Sequence, residues 1–290
     1  MLNILTDRTK RIDAYLQHDL KNTNQRMQRE FAYFSANVYS LLPHIPQRDY
    51  LSLFNQLQAN RMLSDLDIEQ ACAMQVHGWD ASYASALQKR PGIICTFHTG
   101  SYRFLNLLLA HAGTPLSLVV AGDVLKQEKE TFENRFEPAA QHIGIKPDID
   151  FINASLPSSL ISMARAAKQG RCLLVYLDGN TGSGDAENTG NLLTLPFCAG
   201  QLRVRKGTAV LAYRLGLPLY PIICTRKATG ITAGRSNHLL YRQLAPLLPL
   251  QGEDEAAYAA RATATLYAML AEVAGLRPYE WEGWLNVHAS

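Results

Sequence analysis

The chain has 290 residues, 47% of them hydrophobic and 18% charged, so it can bury a substantial core and suits one large α/β domain, alone or with a helical extension. Its 28 Lys and Arg against 25 Asp and Glu leave a formal charge of +3, too small to argue for a nucleic-acid partner. Five scattered cysteines (Cys72, Cys95, Cys172, Cys198 and Cys224) form an odd set without metal-ligand spacing, which argues against a disulfide framework or a metal site and for a reducing compartment, the cytoplasm.

The first 28 residues are polar, and no apolar stretch reaches the roughly 18 residues that would span a bilayer. The reading is therefore a chain without signal peptide or anchor, whose membrane contact is at most peripheral, at the inner membrane. From Thr6 to about Leu87, Ile12, Tyr15 and Leu16, then Phe31, Phe34 and Val38, then Tyr50, Leu53, Phe54 and Leu57 recur at helical spacing, with Pro43 and Pro46 as the break. This predicts a helical region over 1–88 packed on a main domain over 89–290, the two forming one folding unit. The aromatic stripe Phe31, Tyr33, Phe34 and Tyr39 reads as packing against that domain in preference to a membrane face.

From Gly92 onward strands and helices alternate. The runs predict strands at 92–97, 116–121, 149–152, 171–177, 192–197, 218–225 and 238–244, and helices near 101–112, 125–142, 156–169, 207–216 and 253–275. The fold class is α/β, with a mixed, largely parallel central sheet flanked by helices and an N-terminal helical extension.

Residues 91–104 carry the most information. The apolar run 92–97 ends at His98 and Gly100, and Phe104, Leu105, Leu107, Leu108 and Leu109 follow as the apolar side of a helix that begins near Ser101, its expected N-cap. A strand, a tight turn and a helix place His98 beyond the carboxyl end of a strand, where open α/β sheets bind ligands. Two readings stand for His98, a functional group or a histidine that satisfies hydrogen bonds at a strand end. Gly100, and Gly179 after another strand, predict tight turns beside the site.

The order of features is similar to that of the lysophospholipid acyltransferase superfamily, in particular its branch of lipid A late acyltransferases. The strand to His98, the strand to Asp178, Leu195-Pro-Phe197-Cys-Ala-Gly200, the run Gly207 to Pro221 and Pro278-Tyr-Glu-Trp281-Glu-Gly-Trp284 carry the resemblance over roughly residues 30–288. It implies acyl transfer from a thioester to an amine or hydroxyl acceptor, with His98 as general base and Thr99, Gly100, Ser101, Tyr102, Phe197 and Gly200 around the substrate. In the family a carboxylate five positions after the histidine orients it. Here that position holds Arg103, which cannot accept the imidazole N–H and, aimed at His98, would lower its pKa.

Asp178 is then the first choice for the supporting carboxylate, with an Asx turn at Gly179 as its structural alternative and with Asp185 and Glu187 within the same polar loop. Arg103 would pair with Asp178 or hold an anionic group. Arg203, Arg205 and Lys206, just before a helix, form a candidate anion site for coenzyme A phosphates or an acidic carrier protein, or a solvated basic loop. Arg135 matches an arginine that the family places before its third block. Thr99 and Ser101 lack the Gly-x-Ser-x-Gly elbow of a covalent nucleophile, and Tyr102 is expected to shape the pocket. The expected function is a soluble acyltransferase of specialised lipid or secondary-metabolite biosynthesis. It would use acyl carrier protein or coenzyme A thioesters as co-substrate, with no bound cofactor or metal, and a small-molecule or lipid acceptor. A catalytically silent carrier-docking, acyl-binding protein and a thioester hydrolase are the alternatives.

Overall fold

A computed structural model describes residues 2–15, 25–179, 191–227 and 237–287, with the side chains of the first helix described from Thr6 onward. Seven strands form one sheet in the order β1-β9-β8-β2-β5-β3-β4. They are β1 (Gln75–His77), β2 (Ile93–Thr96), β3 (Leu116–Val120), β4 (Ile149–Asn153), β5 (Cys172–Tyr176), β8 (Leu219–Arg226) and β9 (His238–Gln243). The β8–β9 pair is antiparallel and every other neighbouring pair is parallel. The fold is the mixed, largely parallel α/β sheet that the alternation predicts.

Continuous apolar runs become central strands because helices cover both faces of a parallel sheet. All four residues of β2 and all eight of β8 are buried. Their side chains alternate between two cores. Ile93, Cys95 and Phe97 face α2 (Gln25–Leu41), α3 (Tyr50–Glu69), α9 (Gly207–Leu215) and α10 (Glu255–Leu276), while Ile94 faces α5 (Phe104–His111) and α7 (Glu137–His142). The remaining helices are α1 (Leu2–Ala14), α4 (Ala81–Lys89), α6 (Leu125–Thr131) and α8 (Ser159–Lys168), and a π turn over Phe132–Phe136 joins α6 to α7. The expected helix at 125–142 is thus broken by a register change. Among the described residues no helix is long and apolar enough to cross a membrane.

The strands also differ from the sequence reading. The N-terminal region contributes β1, which pairs with β9 at the sheet edge. The strand expected at 192–197 is present as β6 (Leu192–Phe197), but it stays outside the main sheet and pairs antiparallel with β7 (Gly200–Arg205). That alternating hairpin buries Phe197, Leu202 and Val204 in the same core as α2 and α10.

A buried charge cluster ties the N-terminal helices to the sheet. Arg8 of α1 and Arg226 of β8 share the Asp67 carboxylate, at 2.5 and 2.6 Å, and the Arg226 Nε donates to Asn60 Oδ1 at 2.6 Å. The Arg226 backbone N–H donates to Glu280 Oε2 at 2.7 Å, and Arg277 donates to the Arg226 carbonyl and, at 3.3 Å, to Glu280 Oε1. Arg8, Asp67, Arg226 and Glu280 are all buried. Burial pushes the Glu280 carboxyl up to about 7, against the pull of Arg226 and Arg277.

A candidate active site at the carboxyl edge of the sheet

β2 and β5 run parallel, so the residues that follow them emerge side by side on one edge. His98 and Asp178 are those residues. The His98 Nδ1 stands 2.7 Å from Asp178 Oδ1, and the His98 backbone N–H also donates to that carboxylate, at 3.2 and 3.0 Å to its two oxygens. The Trp281 indole donates to Asp178 Oδ2 at 2.7 Å. An ionised carboxylate only accepts, so Nδ1 carries the proton and Nε2 is left as the basic nitrogen.

The turn that holds His98 is braced by segments far apart in the chain. Gly100 adopts φ +55°, and a Cβ there would sit 2.9 Å from the Cys224 carbonyl, so glycine is required on both counts. Residues 280–282 lie along the turn as a short antiparallel partner: Gly100 N–H donates to Glu280 O at 3.0 Å, Glu282 N–H donates to His98 O at 2.9 Å, and Thr99 bridges Trp281. The imidazole stacks on Tyr176, with ring centres 4.7 Å apart, and meets Tyr102 edge-on at the same distance. Asp178 is fully buried, whereas 27% of the His98 side chain is exposed.

Electrostatics favour a charged dyad. Burial works against an imidazolium at His98, but the charge and hydrogen bond of Asp178, with help from Glu282, raise its pKa above 6.5, and Arg103 opposes this only weakly. Asp178 is also buried, yet His98 and the Trp281 indole hold its pKa below the usual value. The lowering expected from Arg103 is therefore outweighed.

Arg103 does not pair with Asp178. Its guanidinium donates to Glu128 at 2.9 Å, lies 3.9 Å from Asp65 and covers the Tyr102 ring at 4.7 Å. Arg135 reaches the other oxygen of Asp65 at 2.5 Å. Both arginines line an open pocket of about 490 Å³, together with Tyr102, Glu282, Arg61 and Glu30. Since Tyr102 touches the imidazole and Glu282 bonds to its backbone, this pocket adjoins the dyad. Burial raises the Glu282 carboxyl, although His98 and Arg61 pull the other way. Placing a family-like carboxylate at 103 would set it against Glu128 and Asp65. Arg103→Glu is expected to cost about 1–3 kcal/mol of stability, read as a lowered midpoint in urea.

Other expected site residues fall elsewhere. Thr99 and Ser101 are fully buried, and among the described residues their hydroxyls have no hydrogen-bond partner, so neither is presented as a nucleophile. The Thr99 and Gly100 N–H groups are committed to Phe97 O and Glu280 O. Ser101 does not cap the helix, which starts at Phe104 without a side-chain cap. Gly179 is exposed and has neither a positive φ nor a crowded Cβ position. Phe197 is buried behind Trp281, its ring centre 5.3 Å away, and Gly200 packs against Leu41 in the β6–β7 turn. Neither faces the His98 imidazole: Phe197 reaches the dyad only through Trp281, and Gly200 meets α2. Arg203 and Arg205 stand on the exposed face of β7, and Lys206 precedes α9. Because α9 leads to the start of β8, parallel to β2, its N-terminus shares the edge with His98. Asp185 and Glu187 lie outside the described residues.

Trp281 and Glu282 were not among the residues expected at the site. The Pro278 to Trp284 motif was their signal, but only the fold shows that it reaches the histidine turn.

No family model matches the chain, and no curated protein matches it. Among solved structures the chain is similar to the 1-acyl-sn-glycerophosphate (LPA) acyltransferase PlsC from Thermotoga maritima, with 11% identity and a TM-score of 0.41 over 86% of this chain and 96% of that one. A likeness that distant carries no functional argument, so the chemistry rests on the site.

Proposed function

We propose that the protein is an acyltransferase in which His98, oriented by Asp178, removes the proton of a hydroxyl or amine acceptor as that atom attacks an acyl thioester. The observation that carries the reading is the 2.7 Å contact between His98 Nδ1 and a fully buried carboxylate that Trp281 also holds, beside a pocket open to solvent. A new C–O or C–N bond forms, the C–S bond breaks, and the proton passes from acceptor to imidazole to the departing thiolate. No enzyme nucleophile is required. Thr99 and Ser101 are buried, and burial raises the thiols of Cys95, Cys172 and Cys224, so direct transfer fits the residues present.

The polar pocket lined by Arg61, Arg103, Arg135, Glu30 and Glu282 is the proposed acceptor site. Its alternating charges suit an acceptor with several polar groups. Arg203, Arg205, Lys206 and the α9 N-terminus are the proposed anchor for the phosphate of a pantetheine thioester on acyl carrier protein or coenzyme A. Specialised lipid or secondary-metabolite assembly is the proposed setting.

Intact-mass spectrometry of acyl carrier protein and coenzyme A thioesters, mixed with the protein and a panel of amines and alcohols, tests this. The expected result is acceptor-dependent loss of the acyl group, absent in His98→Ala. Loss to water alone would make the protein a thioester hydrolase, and binding without turnover a carrier-docking protein.

A further inference from the structure

The β4–α8 connection carries apolar side chains that the fold leaves uncovered. Leu156, Leu160 and Ile161 are 51%, 57% and 64% exposed, and none is needed to fill a core, since α8 buries its opposite side through Met163 and Ala166. Ser155 Oγ accepts a hydrogen bond from Gly122 N–H at 2.9 Å, which joins this turn to the β3–α6 turn, where Val124 is also exposed.

Position and charge say what this tip meets. β4, β3, β5 and β2 are consecutive parallel neighbours, so the start of α8 and the His98 turn share one sheet edge, about 14 Å apart at the usual strand spacing. Along the exposed face of α8, Leu160 and Ile161 come first and Arg165 and Lys168 follow, about 7–12 Å further from the tip at 1.5 Å per residue. From Phe151 to Tyr176 every charged residue is a cation. Arg171 is neutralised by Asp148 and Asp150, while Arg165 and Lys168 stand exposed. The joined β3–α6 turn carries Asp123, and α6 behind it carries Lys126, Glu128, Lys129 and Glu130. Apolar side chains at a helix end with cations one to two turns behind match an acyl boundary overlain by anionic headgroups.

We infer that the start of α8 docks the protein on an anionic lipid surface, with Leu156, Leu160 and Ile161 inserted and Arg165 and Lys168 at headgroup level. The docked edge is the one that carries His98. This binding requires no turnover and goes beyond the acyl-transfer reading.

Co-sedimentation of the full chain with sucrose-loaded phosphatidylglycerol–phosphatidylcholine vesicles at low salt tests it. The protein is expected to sediment with these vesicles and to be released by salt. Arg165→Gln with Lys168→Gln should weaken binding about 30-fold, at about 1 kcal/mol per cation near the surface. Leu160→Glu with Ile161→Glu should abolish it, circular dichroism confirming that both variants stay folded. His98→Ala should sediment like the parent even if acyl transfer is never found, which separates this inference from the catalytic one. A parent protein that stays in the supernatant would overturn the inference, as would variants that bind vesicles like the parent. If those variants instead lost only acyl carrier protein binding, the patch would be a protein-docking surface and the lipid assignment wrong.

Discussion

Asp178→Asn is expected to lower acyl transfer by about 10²–10⁴-fold while the chain remains folded. The carboxylate fixes the proton on Nδ1 and offsets the charge that the ring acquires when it takes the acceptor's proton. An amide keeps one acceptor oxygen for the Trp281 indole or the His98 N–H, but its NH₂ can face the ring and favour the wrong tautomer. The pH profile separates this role from simple damage. In the parent, Asp178 raises the His98 pKa above 6.5 against burial, so the free base, and with it kcat/KM, is lost as pH falls through that raised value. Without the carboxylate burial dominates and disfavours the imidazolium. The acid limb of the variant should therefore move to lower pH even as its plateau drops. A limb that stays in place, or transfer at the parental rate, would remove the dyad from the mechanism.

That dyad was half legible in the sequence. His98 announces itself because an apolar run that must be a core strand stops at a polar residue beside Gly100, and the same logic marks Asp178 at the end of β5. Parallel pairing then brings two strand ends together, a step that the α/β alternation implies. The spacing rule of the resembling family pointed instead to position 103. Its arginine has a different partner, Glu128, supplied by α6, and no local pattern encodes that contact. Trp281 and Glu282 stand in a recognisable motif, but their place at the site is illegible for the same reason. They meet the histidine turn through an antiparallel bridge between segments far apart in the chain. β1 is three residues long and owes its strand form to β9, whereas β7 alternates cleanly as Gly-Gln-Leu-Arg-Val-Arg but was hidden by its basic residues, which suggested a loop. The π turn at Phe132–Phe136 has no pattern of its own, because the apolar spacing on either side stays helical.

The largest stability effect is expected at Asp67, whose carboxylate joins the N-terminal helices to the sheet. Asp67→Ala leaves the Arg8 and Arg226 guanidiniums buried without their shared counter-charge, which should cost about 3–5 kcal/mol. At this chain length that corresponds to a fall in Tm of about 10 °C. Asp67→Asn keeps hydrogen-bond acceptance but not the charge, and should fall between the two. The loss should also reach the site. The Arg226 guanidinium holds Asn60, whose amide donates to the Glu280 carbonyl, that carbonyl also accepts from Gly100, and Trp281, the next residue, holds Asp178. Loosening Arg226 should therefore free the 280–282 segment before it disturbs β2 itself. Hydrogen exchange would show this as faster exchange of the Gly100 and Glu282 amides in Asp67→Ala, with the β2 amides still protected. Uniform acceleration across the sheet would mean that the cluster stabilises the fold globally, and unchanged exchange with a Tm shift under about 2 °C would mean that the buried pairs contribute little beyond their own desolvation.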